Sequence, residues 1–401
     1  MKSNKKKILF IWNYFYLESE KGESRFAYLA NLLIERGYEL EIVTSTFYHM
    51  NKVQRDISLK DLDQYPYKLT LIKEPGYKKN VSFKRVKSMN VFNKGVKEYL
   101  AGIPYKPDIV YVPVPSIKLG HIAADYCQKN NIPFVMDIED LWPESFTMLT
   151  HSKLLTKMLF WPWFRNANKL YRRADAVVSV SQTFLDRVLS VRKDNPPHCV
   201  SYIGANFERA ASIDASYVKK TEGDTWITYI GTLGKSYDIK LFIDAIDILY
   251  REGRIDFNLR ILGDGPDRKI LQKYAEDHLG RVEFLGLLPY EDMIKQLKKS
   301  DYGINPINPR SVASIINKVG DYASVGLPVI NTQHCIEYIN ILRETNSGIS
   351  LLTGNPYEIA EFLLNQKNYQ TYEFNKNPVR LFSRKENYEK ILELIKGLGN
   401  I

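Results

Sequence analysis

The sequence predicts an α/β protein with two tandem domains, each built on a parallel sheet covered by helices. At 401 residues the chain is too long for one ordinary core, so its length favours two domains. Short β-rich runs alternate with helical patterns in both halves, which is typical of parallel sheets. Apolar density falls over residues 206–224, and we interpret this stretch as the linker between the domains.

The first half contains five β-rich runs, at residues 8–12, 39–44, 108–112, 133–138 and 176–180. Helical patterns lie between several of them, at residues 24–36 and 118–129. Residues 48–106 are basic, rich in tyrosine and weakly periodic. For this stretch we expect long loops with one helix near residues 91–100.

In the second half the strands are predicted at residues 225–230, 258–262, 282–285, 302–304 and 328–331. The helices between them are predicted at residues 239–250, 268–278, 291–299 and 315–325. We place an N-terminal domain at residues 1–206 and a C-terminal domain at 207–380. The last segment, 381–401, contains apolar residues at helical spacing and is expected to dock back toward the N-terminal domain.

The net charge is +10 and the pI is near 9.1, which indicates a polyanionic partner or surface. Nucleic acid, anionic lipid and phosphate-bearing substrates all fit this charge. The sequence has neither a zinc-finger pattern nor an aromatic RNP-type strand, so we favour phosphates or lipids and expect no nucleic-acid partner.

Three cysteines, widely spaced and odd in number, argue against a disulfide framework or a zinc site and favour a reducing cytosol. The N-terminus places lysines before an apolar run, as a signal peptide does. Charged residues follow where a cleavage site would stand. No apolar run approaches the length of a membrane-spanning helix, so we expect a soluble or peripheral protein.

The segment NKVGDYASVGLPVI, residues 317–330, predicts a short helix, a glycine stop and a buried strand. Lys318 and Asp321 are three residues apart and share one helical face near the helix start, where bound anions are favoured. This pair supplies a cation for phosphate and a carboxylate for hydroxyls. The alternative is a surface helix with an incidental ion pair.

The segment YIGTLGKSYD, residues 229–238, predicts a strand, a glycine-bearing turn and a helix start. Its turn carries residues suited to a diphosphate: Gly231, Thr232, Gly234, Lys235 and Ser236. The P-loop pattern fails, because its first glycine would fall on Tyr229. A tight βα turn without function is the alternative here, and turn formation alone also explains Gly263 and Asp264 in ILGDGPDRKI.

Five ordered motifs resemble the nucleotide-binding half of retaining GT-B glycosyltransferases of family 4: GTLG, LGDGP, VEFLGLLPYEDM, DYGINP and NKVGDYASVGLPVI. The N-terminal half is similar more loosely, through LANLLIERGYELEIVT and DIEDLWPES. The second of these resembles transferases that build bacterial surface polysaccharides on lipid-linked intermediates. The resemblance implies two Rossmann-like domains facing a central cleft. It also implies a UDP- or GDP-sugar donor, retention of anomeric configuration, and no metal or other cofactor.

In the family, two glutamates eight residues apart contact the donor. The resemblance places Asp321 at the second position, for the ribose hydroxyls, and Ala313 at the first, so one carboxylate is missing. The family's basic pair is also absent. Lys235 and Lys318 are its predicted catalytic substitutes, since both would neutralise the leaving diphosphate. The remaining predicted donor-binding residues are Gly231, Thr232, Gly234, Ser236, Gly263, Asp264 and Asn317.

Many relatives have a histidine at the donor sugar where this chain has Glu139 and Asp140. A carboxylate at a strand end can orient an acceptor hydroxyl or stabilise an oxocarbenium-like centre, so both are predicted catalytic residues. Asp140 could instead cap the turn that follows it. Gly22, Ser24 and Arg25 correspond to the family's acceptor loop and are predicted to meet an acceptor phosphate.

Residues 153–173 combine large apolar and aromatic residues, eight of them within residues 154–164, with six lysines and arginines. This mixture suits a headgroup interface on anionic lipid, although a buried helix pair is the competing interpretation. We therefore expect a cytoplasmic protein, peripheral at the inner face of the cell membrane.

These observations predict a hexosyltransferase-type glycosyltransferase. It would move a sugar from a UDP- or GDP-sugar to a lipid-linked saccharide, in bacterial capsule or O-antigen synthesis. Two alternatives share the architecture: a sugar-nucleotide epimerase, and a non-catalytic assembly partner that binds sugar nucleotides, which Ala313 motivates. Nucleic-acid binding is supported by charge alone.

Overall fold

The computed structural model describes residues 5–21, 24–57, 62–80, 82–144, 158–308 and 315–398. The chain divides into two compact units. The first unit consists of two segments, the described residues up to Ser201 and those from Tyr388 onward. The second unit consists of Tyr202–Asn387. Within the described ranges, no helix is long and apolar enough to cross a membrane.

The first unit is built on a seven-stranded sheet with the order β5-β2-β1-β6-β7-β8-β9. Every strand pair in this sheet is parallel, and Ile8 on β1 lies between Leu40 and Ile109 of its neighbours. The strands, together with the short antiparallel hairpin β3–β4, are β1 Lys7–Ile11, β2 Glu39–Ser45, β3 Phe47–Tyr48, β4 Val53–Gln54, β5 Lys68–Ile72, β6 Ile109–Val114, β7 Phe134–Ile138, β8 Ala176–Ser179 and β9 His198–Val200.

Helices connect these strands, as parallel pairing requires. They are Glu18–Lys21, Arg25–Glu35, Phe83–Gly102, Ile117–Asn130, Trp161–Tyr171 and Gln182–Leu189. The central strands are buried on both faces, which explains their apolar runs, interrupted in β7 by Asp137. The core lies between the sheet and these helices.

The prediction for residues 48–106 was wrong in two respects. The stretch contains strand β5 at the sheet edge, and its helix spans Phe83–Gly102, twice the predicted length. Only Phe92, Val96 and Leu100 form a buried apolar stripe on this helix, so the preceding turns carry no periodic signal.

The second unit is built on a six-stranded parallel sheet with the order β12-β11-β10-β13-β14-β15. Its strands are β10 Thr225–Ile230, β11 Phe257–Leu262, β12 Arg281–Gly286, β13 Tyr302–Asn305, β14 Val329–Asn331 and β15 Gly348–Ser350. Its helices are Phe207–Ser212, Ile239–Arg251, Arg268–Glu276, Tyr290–Lys299, Asn317–Ser324, Ile336–Thr345 and Pro356–Tyr369, with a 3₁₀ turn at Arg380–Phe382.

Both sheets follow the doubly wound order in which the chain starts near the middle and reverses direction. The reversal falls between β1 and β6 in the first sheet and between β10 and β13 in the second. Ligands of such sheets bind beyond the carboxyl ends of the strands at this point. The two-domain α/β prediction with parallel sheets is confirmed.

The last helix, Arg384–Leu398, contributes its apolar face to the first unit's core. Tyr388 packs edge-on against Tyr28, with ring centroids 5.2 Å apart. Ile391, Leu392 and Ile395 are buried in the same cluster. The chain therefore completes the core of its first unit with its final residues.

Candidate active site

In the second unit, the loops after β10, β11 and β12 lie against one another at the carboxyl edge of the sheet. A side chain on Gly263 would place its Cβ 1.8 Å from the carbonyl oxygen of Gly231. The backbone N–H of Gly263 donates to the carbonyl of Gly286 at 2.7 Å, and Leu233 N–H donates to the carbonyl of Asp264 at 2.9 Å. Glycine is required at this contact because the two backbones touch.

Lys318 extends from the first turn of helix Asn317–Ser324 toward this edge. Its side chain is buried, at 6% exposure, and its ammonium lies 3.8 Å from the ring centre of Tyr229 and 4.0 Å from that of Tyr237. A Cβ built on Gly231 would be 3.4 Å from the Lys318 Nζ. The β10 loop and the helix start thus meet at this ammonium.

The Lys318 Nζ has no hydrogen-bond partner among the residues that the structure describes. Burial lowers the pKa of this amine well below its ordinary value. The ring faces attract a cation but compensate only part of its lost hydration. Helix Asn317–Ser324 also starts without a side-chain cap. The arrangement can therefore accept an anion that restores the charge of the lysine.

Asp321 lies one turn further along the same helix and is half-buried. Burial raises the pKa of its carboxyl to about 7, against the opposing charge of Arg384. Next to it, a Cβ on Gly320 would come within 2.7 Å of the Gly204 backbone, so the helix is packed tightly in place.

The other predicted donor residues lie on the same edge but differ in exposure. Lys235, Thr232 and Asn317 are exposed, and Ser236 is half-buried. The Thr232 carbonyl accepts a hydrogen bond from the Tyr229 hydroxyl at 2.6 Å. Within the described ranges, no ion pair joins Lys235 to a carboxylate. Of the two predicted lysines, only Lys318 is buried.

Asp264 and Gly234 complete the predicted donor set. Asp264 accepts from the N–H of Gly265 at 2.8 Å and lies 3.6 Å from an Arg268 nitrogen, so its carboxylate is engaged within its own turn. A Cβ on Gly234 would only just touch Pro266, at 4.0 Å.

The predicted catalytic carboxylates of the first unit follow β7. Asp140 accepts from the N–H of Leu141 at 2.9 Å and from the indole N–H of Trp142 at 3.0 Å, bonds that organise the turn. Burial raises the pKa of Asp140. Glu139 lies 3.6 Å from Arg25. A catalytic role for either carboxylate stays a prediction.

The predicted acceptor residues are occupied by other contacts. Arg25 is buried and donates two hydrogen bonds to Asp137, at 2.8 and 3.0 Å, and one to the carbonyl of Ser201 at 3.2 Å. Ser24 caps the helix start by accepting from the N–H of Ala27. Gly22 lies outside the described residues. Arg25 could meet an acceptor phosphate only by giving up this network, so its predicted role stays a prediction.

Tyr229 and Tyr237 are the site residues that the sequence analysis missed. A tyrosine inside a β-rich run looks like ordinary core, and Tyr237 follows the glycine turn. Arg268, at the start of the next helix, was also missed. A Cβ on Gly286 would be 3.5 Å from its guanidinium, so it adds a cation to the same edge. Ala313 lies outside the described residues.

Within residues 153–173 the structure describes residues 158 onward. Met158, Leu159, Trp161 and Trp163 are more than half exposed. Helix Trp161–Tyr171 buries Ala167, Leu170 and Tyr171 instead. The buried helix pair, one of the two interpretations, does not fit these aromatic residues.

Solved structures resemble the whole chain and define its class as the GT-B fold. Anabaena HepE in complex with UDP aligns with a TM-score of 0.64 and 13% identity over 98% of each chain. The lipopolysaccharide outer core galactosyltransferase WaaB aligns at 0.61 and 16%, covering 98% of this chain and 99% of that one. A putative UDP-N-acetylglucosamine 2-epimerase from Listeria monocytogenes aligns at 0.58 and 15%, covering 98% and 96%. At these identities the likeness concerns the fold.

Sequence families identify the chain further. Residues 22–206 match the model for Glycosyltransferase Family 4, and residues 224–365 match that for Glycosyl transferases group 1. No curated protein sequence matches the chain. The chain belongs to the glycosyltransferases with the GT-B fold.

Substitution of Gly231 by alanine tests the close approach of Lys318. Gly231 has φ +122°, which side-chain-bearing residues rarely adopt, and a Cβ there would lie in van der Waals contact with the Lys318 side chain. We expect Gly231→Ala to weaken nucleotide binding about tenfold or more, measured by titration calorimetry.

Gly234→Ala is the matched control, because its Cβ meets no atom closer than 4.0 Å. Equal binding by both alanine variants would show that the Gly231 loop does not form the site.

Proposed function

We propose that this chain transfers a sugar from a UDP- or GDP-sugar to a lipid-linked saccharide, with retention of anomeric configuration. The observation that supports it best is the buried Lys318 ammonium, which has no hydrogen-bond partner in the described structure and lies beside the Gly231 loop. A diphosphate in this position would neutralise that charge. Retention of anomeric configuration and a surface-polysaccharide pathway are proposed from the sequence resemblance to family 4.

In this proposal the lysine acts on the leaving group. Negative charge develops on the nucleoside diphosphate as the glycosidic bond breaks, and a buried cation stabilises that charge more strongly than an exposed one. Lys235 and Arg268 would add weaker, partly solvated charges, and Asp321 would accept hydrogen bonds from the ribose. Transfer would then need no metal ion, and full activity in the presence of EDTA would support this.

The test begins with thermal shifts for UDP, GDP, ADP and their sugars, since a ligand that binds only the folded state raises its stability. The best donor is then incubated with and without a lipid-linked saccharide extract, and the products are analysed by NMR. Sugar transfer with the donor's anomeric configuration supports the proposal. An altered sugar nucleotide released without acceptor would instead show an epimerase, and donor binding without turnover would show a non-catalytic partner.

The exposed aromatic residues of the first unit support peripheral attachment to the cytoplasmic membrane face. Trp161 and Trp163 are 58% and 56% exposed, and Arg165 lies 5.5 Å from the Trp161 ring. Amphipathic rings beside basic side chains suit the headgroup layer of anionic lipid.

We expect the double substitution Trp161→Ala and Trp163→Ala to lower binding to phosphatidylglycerol vesicles by about fivefold or more, measured by co-sedimentation. Tyr217→Ala is the control, because Tyr217 is an exposed aromatic residue of the second unit. Unchanged vesicle binding in the double variant would rule out this helix as the membrane contact.

A further inference from the structure

A second group of aromatic and basic residues lies at the carboxyl edge of the first unit's sheet. We call Tyr14, His49, Lys52, Tyr77 and Arg85 the first-unit cluster. Tyr14 follows β1, His49 and Lys52 lie in the β3–β4 hairpin after β2, and Tyr77 and Arg85 lie in the loop and the helix after β5. Since these strands are parallel, their following loops meet at one edge.

The cluster is joined by direct contacts. The Tyr77 hydroxyl lies 2.6 Å from Nδ1 of His49, and the Tyr14 and His49 rings are 4.6 Å apart. Arg85 donates to the Tyr14 hydroxyl at 3.1 Å, and its guanidinium lies 5.7 Å from the Tyr77 ring centre. It also lies 5.9 Å from the ring of Trp142, which follows β7.

The positive charge of this cluster is not balanced locally. Lys52 and Arg85 form no ion pair with any described carboxylate, and the Arg85 Nε is buried without a hydrogen-bond partner there. Lys52 instead contacts Nδ1 of His49 at 3.1 Å. Burial and the two cations lower the pKa of His49 to about 4, so His49 is neutral near physiological pH.

Glu74 is the carboxyl group whose charge acts on Tyr77. It is buried, and burial raises its pKa to about 7. Between Glu74 and Glu98 the sequence has seven lysines and arginines and no aspartate or glutamate. Two neighbouring cations without a counterion repel each other, and a bound anion would relieve this repulsion.

Exposed apolar side chains lie in the same helix turn as Arg85. Phe83 and Val86 belong to the first turn of helix Phe83–Gly102 and are 95% and 58% exposed. A ligand anchored at Arg85 that extends around this turn would reach apolar surface. Such a combination fits an amphiphile with an anionic head and a hydrocarbon tail.

We propose that the first-unit cluster binds the phosphate or diphosphate group of a lipid-linked acceptor. Arg85 and Lys52 carry the charge, the tyrosine rings face the group next to the phosphate, and Phe83 and Val86 face the hydrocarbon. Naming the ligand an acceptor rests on the proposed function. The anion site itself does not, because its residues belong to the first unit and Lys318 to the second.

The test uses geranyl diphosphate as a soluble probe, with full-length protein and titration calorimetry. Wild type and Lys318→Met should bind it equally, whereas Arg85→Gln and Lys52→Gln should each lose about tenfold in affinity. Lys78→Gln removes an equal charge from an exposed position of the same segment and should change affinity less than about twofold. UDP binding by the Arg85 variant serves as the check on its folding.

Three results would overturn the proposal. The first is unchanged affinity in Arg85→Gln, and the second is loss of probe binding in Lys318→Met, which would place the probe at the second-unit site. The third is binding to phosphatidylglycerol vesicles without binding to the soluble probe, which would make the cluster a general lipid contact. If inorganic pyrophosphate bound as tightly as geranyl diphosphate, the proposed contact of Phe83 and Val86 with the hydrocarbon would be wrong. Absence of sugar transfer with intact probe binding would count against the proposed function alone.

Discussion

Replacement of Lys318 by methionine is expected to lower sugar transfer about 100-fold or more, which corresponds to about 2.7 kcal/mol of lost transition-state stabilisation. The buried ammonium lies against the Gly231 loop and has no hydrogen-bond partner in the described part of the chain. Its field acts in a medium of low dielectric, so no nearby solvent replaces it when it is removed. The measurement is steady-state transfer with the donor that the thermal shifts identify.

Methionine has nearly the length of the lysine stem, so the packing against Tyr229 and Tyr237 is retained. Thermal stability without ligand should be equal or higher, because a buried amine that lacks a partner is costly to the fold. Lys235→Met, at an exposed position, should cost only about tenfold. If Lys235→Met proved the more damaging, the enclosed lysine would not be the group that stabilises the leaving diphosphate.

The sequence could predict the donor edge because its residues belong to local patterns. Gly231 stands in a strand-turn-helix pattern, and Lys318 stands at a helix start, so each could be placed at the carboxyl end of a strand. Their close approach depends on the order of strands in the sheet, which the pattern does not encode. Tyr229 was missed because strand tyrosines are usually core residues. Tyr237 was missed because it follows the glycine turn and belongs to no strand pattern.

The first-unit cluster could not be predicted for a different reason. Tyr14, His49 and Arg85 are far apart in the sequence and meet only because β1, β2 and β5 are neighbours. Strand β5 itself was missed, since an edge strand that is only partly buried lacks both an unbroken apolar run and clean alternation. Without that strand, the residues after it could not be assigned to the sheet edge.

Arg25 shows a third kind of difference between sequence and structure. Its position at a helix start fits an acceptor phosphate, but the structure pairs it with Asp137, a buried residue inside β7. The Tyr111 hydroxyl donates to the same carboxylate at 2.5 Å. A buried aspartate requires such partners. Arg25 therefore pairs with Asp137 and is not left free at the helix start to bind a phosphate.

Asp321→Asn is expected to stabilise the protein in alkaline solution while weakening nucleotide binding. Burial raises the pKa of Asp321 from 3.8 to about 7. Between these values the folded state binds more protons than the unfolded state, so this group's contribution to stability falls as the pH rises through the window. Its cost is fully present above about pH 7, where the carboxyl must ionise in the folded protein.

Asparagine removes that cost, so the free energy of unfolding should rise by roughly 1–3 kcal/mol near pH 8 and by much less near pH 4.5. Urea unfolding at the two pH values measures the difference. Asp277→Asn, at an exposed position of the same unit, is the control. Equal effects of the two substitutions at pH 8 would show that Asp321 carries no special burial cost.

Binding should change in the opposite direction to stability. The ionised carboxylate accepts hydrogen bonds from ribose hydroxyls, so wild-type affinity for the nucleotide should decline below about pH 7 as Asp321 is protonated. The asparagine variant should bind about tenfold more weakly near pH 8 and lose this pH dependence. A more stable variant that binds nucleotide more weakly would show that Asp321 serves ligand binding at a cost in stability. If the substitution increased both stability and affinity, Asp321 would have no role in binding.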